Sequence, residues 1–124
     1  GRAEYWREGG PVLEAREEEK KRRNEEYGRV LAGDANEQEV DAYYDYRERL
    51  STDYLEFAEW MHNRYGDKIS DEFLGMLELS IKLHKARLAQ IPQEREDARA
   101  HSREREKIRE DGRREQKEFN QPQE

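Results

Sequence analysis

Between Val40 and Ile91 apolar residues recur at helical spacing, and on either side of that stretch they become sparse. Tyr43, Leu50, Tyr54, Phe57 and Met61 follow one another at steps of seven, four, three and four, which places them along one helical face. Val40, Tyr44, Leu55, Ala58 and Tyr65 widen this stripe on one side. Further on, Leu74, Leu77, Ile81, His84, Leu88 and Ile91 alternate at three and four, the spacing of a heptad seam. Met76, Leu79 and Leu83 add an adjoining arc. More than half of this helix's circumference is then apolar, where a surface helix needs a stripe of only about 100°. It is expected to touch more than one neighbour. No segment alternates at period two long enough to be a strand, so the chain reads as all-α.

Punctuation divides the pattern into three helices. Gly9-Gly10-Pro11 interrupts the chain, and proline suits the first turn of a helix over roughly 11–32 that ends at Gly33. Asn36 followed by Glu39 has the form of a capping box, with asparagine as the cap, and opens a helix running to about Tyr65. Gly66 reads as a left-handed stop. Ser70 then caps a third helix, with Asp71 and Glu72 favourably placed against its dipole. The short connection 66–70 forces the second and third helices into an antiparallel hairpin.

A chain of 124 residues is one domain by length. Its expected organisation is a core over 37–91, charged helical arms over 11–32 and 93–119, and frayed ends at 1–10 and 120–124. Two architectures fit. One is a long, coiled-coil-like antiparallel hairpin with a broken first arm, residues 11–65, and a return arm, 71–119, kinked at Pro92. The other is a compact three-helix bundle. A hairpin centred near residue 68 would set Ile108 beside Tyr27, Val30 and Leu31, and Phe119 near Leu13, which favours the long form.

Charge narrows the function classes. Charged residues reach 44% and apolar ones only 32%, and 25 of the 40 apolar residues fall between Val40 and Ile91. A core that small is marginal alone, so protein partners are expected. The net charge of −7 is concentrated in 34–78, while Lys82, Lys85 and Arg87 form a short basic interval. Without a basic stripe the chain is not a nucleic-acid binder. The charged tail supports itself through pairs such as Glu96–Arg99, Glu104–Lys107, Glu106–Arg109 and Glu110–Arg114, each worth about 0.2–0.5 kcal/mol. There is no cysteine, hence no thiolate metal site, and no apolar run near the roughly 20 residues of a membrane span. The cytoplasm is the default compartment, with export of a processed form left open.

The stretch EFAEWMH puts Glu56, Glu59 and His62 at helical spacing and contains a Glu-x-x-His pattern. Ferritin-like carboxylate proteins use that pattern to aim metal ligands into a bundle, but they need partners on facing helices. A homodimer would have to supply the second motif here. The bland alternative is a rim histidine with solvated glutamates. His84 occupies a heptad core position, where a polar residue can fix register or make association sensitive to pH. Tyr46 and Trp60 lie on the outer flank of the second helix, with the amphipathic character common at interfaces. The hairpin tip YGDKISDEF shows Asp67, Asp71 and Glu72, and in outline resembles the acidic-tipped helical hairpin of Gre-type transcript-cleavage factors. That resemblance covers geometry alone, no Gre motif accompanies it, and helix capping accounts for the acids. No nucleophilic triad or phosphate loop is present.

The expectation is a non-enzymatic helical interaction module, an adaptor, assembly factor or structural subunit, that needs no cofactor and forms a homodimer or joins a larger complex. Tyr46, Trp60, Met76, Leu79, Leu83 and His84 are its candidate interaction residues. A Glu-x-x-His metal protein is the alternative.

Overall fold

The structure, a computed structural model, describes residues 3–4 and 9–121. Most of the expected frayed ends falls outside these. The fold is all-α: helix α1 spans Gly10–Ala32, α2 Glu37–Tyr65 and α3 Asp71–Phe119. Local chemistry sets the boundaries. Pro11 stands in the first turn of α1, and Gly33 ends the helix at φ 75°, where a side chain would be strained. The capping box opening α2 is complete, since the Glu39 N–H donates to Asn36 Oδ1 at 2.8 Å and the Asn36 N–H to Glu39 Oε1 at 3.3 Å. At α3 the Phe73 N–H donates to Ser70 Oγ.

One local expectation needs correction. Gly66 is right-handed, at φ −56° and ψ −30°, so it is not a left-handed stop. The chain leaves α2 through a tight turn in which the Lys68 N–H bonds to the Tyr65 carbonyl, and the break comes from the extended Ser70 that caps the next helix. Pro92 lies inside α3, which runs through it for 49 residues as one helix. The ring points to solvent, and buried Ile91 and half-buried Leu88 hold the helix to its partner across the missing hydrogen bond.

Helices α2 and α3 form the long antiparallel hairpin. Cross-helix contacts fix its register from tip to base: His62 meets Glu78, Tyr54 stacks on His84, Arg47 meets Glu94, and Ser102 Oγ donates to the Ala35 carbonyl at 2.6 Å. The first helix does not extend the first arm. Tyr27 stacks on Tyr43 at 5.3 Å, Arg23 lies over the Tyr46 ring at 4.6 Å and Arg29 pairs with Glu39, so α1 doubles back along α2. The facing of Ile108 and Phe119 with α1 is therefore absent, and both side chains are exposed. The molecule is a three-helix bundle at its base and a bare helix pair towards its tip. Its core reflects this, because Val30, Ala35, Val40, Tyr43, Tyr44 and Ile91 cluster at the base with Leu88 and Ala98 against them. Val30, Ala35 and Ala98 lie beyond the 37–91 interval that composition suggested.

Candidate interaction face

The α3 seam follows the predicted heptad, with Leu77, His84, Ile91 and Ser102 buried along one line. The α2 seam does not follow the expected stripe centre. Val40, Tyr44, Ser51 and Ala58 are its buried members, whereas Leu50, Tyr54 and Phe57 are exposed. Phe57, in the middle of the predicted stripe, is 58% exposed. The reason is the shape of the seam: small Ser51 and Ala58 let α3 approach closely, and the larger stripe is rotated to one side.

The two flanks of the hairpin consequently differ in kind. One is ionic. Arg95 reaches Asp41, Asp45 and Glu48, Arg99 reaches Glu37 and Asp41, and Arg103 bridges Glu37 and Glu96. The hydrogen bond from Arg103 holds the Glu37 carboxyl below its usual range. Nearer the tip, Lys85 pairs with Glu59 and His62 with Glu78. The other flank is apolar, and at the base α1 fills it. Tyr27, Val30 and Leu31 face Tyr44, Arg47, Glu94, Asp97, Ala98 and His101 there. Burial pushes the Tyr43 phenol up to about 12.

Seven-residue steps from these contacts trace the same flank towards the tip: Tyr43 leads to Leu50 and Phe57, Tyr46 to Asp53 and Trp60, and Asp97 to Gln90, Leu83 and Met76. Helix α1 never reaches that half. Every residue from 12 to 22 is exposed, so the helix has lifted away before Leu50. The result is a bare apolar face about the tip, carrying Leu50, Tyr54, Phe57 and Trp60 from α2 and Phe73, Met76 and Leu83 from α3.

The predicted interaction residues divide accordingly. Met76 and Leu83 lie on the bare face, and Leu79 is exposed at its outer edge. Trp60 belongs to the face as well, within ring contact of Phe57 and Tyr65. Tyr46 is half-buried beneath Arg23 of its own chain, at the boundary between the covered and the bare halves. His84 lies in the seam, stacked on Tyr54 with the rings 8° from parallel, and its Nδ1 is buried without a hydrogen-bond partner. Burial, and then the charge of Arg87, lower its pKa. Of the candidate metal ligands, Glu56 points to solvent, Glu59 is turned to Lys85, and His62 Nε2 lies 3.3 Å from Glu78 Oε1. Among the described residues no group of three His, Asp or Glu side chains is arranged to hold a metal ion. Nor is any helix among them long and apolar enough to cross a membrane.

The arginine ladder is what the sequence reading missed. Arg99 was paired with Glu96 by helical spacing, yet it crosses to α2. The signal was available, since Arg95, Arg99 and Arg103 repeat every four residues, as do Glu37, Asp41 and Asp45. No protein-family model matches the chain, and no curated protein or solved structure matches it.

Proposed function

We propose that the protein is a non-enzymatic helical interaction module, an adaptor, assembly factor or structural subunit, that presents the tip half of its hairpin to a protein partner. The bare apolar face carries this reading. Tyr54, Phe57, Trp60 and Phe73 are 54%, 58%, 50% and 41% exposed. At about 150–250 Å² for a whole aromatic side chain, these four alone offer roughly 400 Å². Met76, Leu83 and Leu50 extend the area, and contiguous patches of that size on soluble chains mark interaction surfaces. The ionic flank satisfies itself within the chain and leaves the apolar flank as the side with something to gain from a partner.

Fluorescence quenching tests the reading. With Trp6 replaced by phenylalanine, Trp60 is the only tryptophan. In the dilute single chain it should be open to acrylamide, and it should become protected when the chain assembles. Replacing Leu79 and Leu83 together by glutamate should abolish that protection and leave helix content unchanged. A monodisperse monomer in which Trp60 is already protected would refute the reading, because the chain would then be covering its own face.

A further inference from the structure

We propose that the partner on this face is a second copy of the same chain, laid antiparallel across it about a two-fold axis so that two hairpin tips overlap as a four-helix bundle. The proposal rests on the reading of the face as an interaction surface and specifies its occupant. The ground for it is a pair of palindromes. Along α2 the face reads Asp53, Phe57, Trp60, Arg64, with steps of four, three and four. Along α3 it reads Glu72, Met76, Leu83, Arg87, with steps of four, seven and four. Each runs acid, apolar, apolar, base. When such a helix meets its own copy antiparallel, each of these acids falls opposite the copy's base, and Phe57 and Met76 fall opposite the copy's Trp60 and Leu83, while Leu50, Tyr54 and Phe73 lie outside these matched pairs. An isologous contact requires this self-complementarity.

The two palindromes also agree in level. The first is centred between Ala58 and Glu59, four to five residues past Tyr54 towards the tip. The second is centred between Leu79 and Ser80, four to five residues short of His84. Tyr54 and His84 stack on each other, so both centres lie at one height along the hairpin and a single axis serves both. An axis in the plane of the face and perpendicular to the helices sets α2 on its copy and α3 on its copy simultaneously.

Charge and extent fit the same arrangement. Asp53, Arg64, Glu72 and Arg87 are all exposed and none makes an ion pair among the described residues, in contrast to the acids and arginines of the base ladder. The turn at 66–70 lies about ten residues from the axis, so the copy's turn reaches the level of Leu50. That is one helical turn short of Tyr46, where Arg23 of α1 takes over the flank. The patch approaches the ~800 Å² that each partner of a standard interface contributes.

Reciprocal charge reversal tests this arrangement on the full-length chain. One variant carries Asp53→Arg and Glu72→Arg, the other Arg64→Glu and Arg87→Glu. All four sites are exposed, so both variants should keep the helical signal of the parent. In sedimentation equilibrium the parent should be a dimer, each variant alone should associate at least tenfold more weakly, and an equimolar mixture should recover a dimer of the two. The variant Ser80→Cys, changed beside the axis in a chain that otherwise has no cysteine, should oxidise to a covalent dimer. Two results would overturn the proposal. A parent that stays monomeric at high micromolar concentration, with Trp60 open to quencher, would leave the interaction reading standing and assign the face to a foreign protein. A dimer that neither variant weakens would place the copy elsewhere.

Discussion

Replacing Ile91 by alanine is expected to cost about 3–4 kcal/mol of folding free energy. Ile91 is 2% exposed and lies in the base cluster with Val30, Ala35, Val40, Tyr43 and Tyr44. The change removes three buried carbons, and at about 0.8 kcal/mol each the transfer contribution is roughly 2.4 kcal/mol. If about half of the void persists, a cavity contribution of about 24 cal/mol per Å³ adds roughly 1 kcal/mol. Domains have about 5–15 kcal/mol in total, so the loss is a large fraction. Urea unfolding followed by the helical circular dichroism signal measures it, at one fixed protein concentration because association would add to apparent stability. The midpoint should fall with little change in slope, as expected when the native and unfolded surfaces are otherwise the same. Ile108→Ala is the control: Ile108 is 55% exposed on the overhanging end of α3, and its loss should be under about 0.5 kcal/mol. Equal losses at the two sites, or a loss at Ile91 under about 1 kcal/mol, would refute the placement of the core at the base.

Three other outcomes follow from the geometry. His84 is held neutral in the fold by burial and by Arg87, so its stabilising contribution is whole above the unfolded pKa of about 6.5 and fades as pH falls through that value towards the lower folded one. The melting temperature should therefore drop more for the parent than for His84→Leu between about pH 7.5 and 5.5, and equal drops would show that His84 is not the titrating group. Arg95→Ala removes ion pairs to Asp41, Asp45 and Glu48 from a side chain only 23% exposed, and should cost about 1 kcal/mol, less in high salt; Arg113→Ala, at 68% exposure, should cost almost nothing by the same urea assay. Gly33→Ala forces a side chain into φ 75° and sets its Cβ 2.6 Å from Arg105 Cγ, so a loss of about 1–2 kcal/mol or more is expected, and a neutral result would contradict the described junction.

Much of the fold was legible because its determinants are local. The Asn36–Glu39 box, Ser70, Pro11 and Gly33 each act within a few residues, and the helices begin and end where these residues direct. The hairpin register was legible too, since a short turn leaves little choice. The direction of α1 was not. Tyr27, Val30 and Leu31 form an apolar patch that can meet Ile108 or Tyr43 equally well by residue type, and only the path through Gly33, Asp34 and Ala35 decides between them. Buried Ala35, held by Ser102, turns the chain back. The face was half legible. Met76 and Leu83 stood out as surplus apolar circumference, while Phe57 was assigned to the seam because a stripe of large residues outweighs small ones in any periodicity count. The actual contact runs through Ser51 and Ala58, which such a count scarcely registers.

Concentrating the core at one end makes the hairpin two cooperative halves on a continuous pair of helices. Amides near Val40 and Ile91 should open only with global unfolding, whereas those around Ala58 and Leu77, guarded by a thin two-helix seam, should open by local fraying from the turn. A chain built this way can unzip its tip and close again while the base stays folded. Opening of the tip is then governed by the free energy of a local event, well below that of the whole domain.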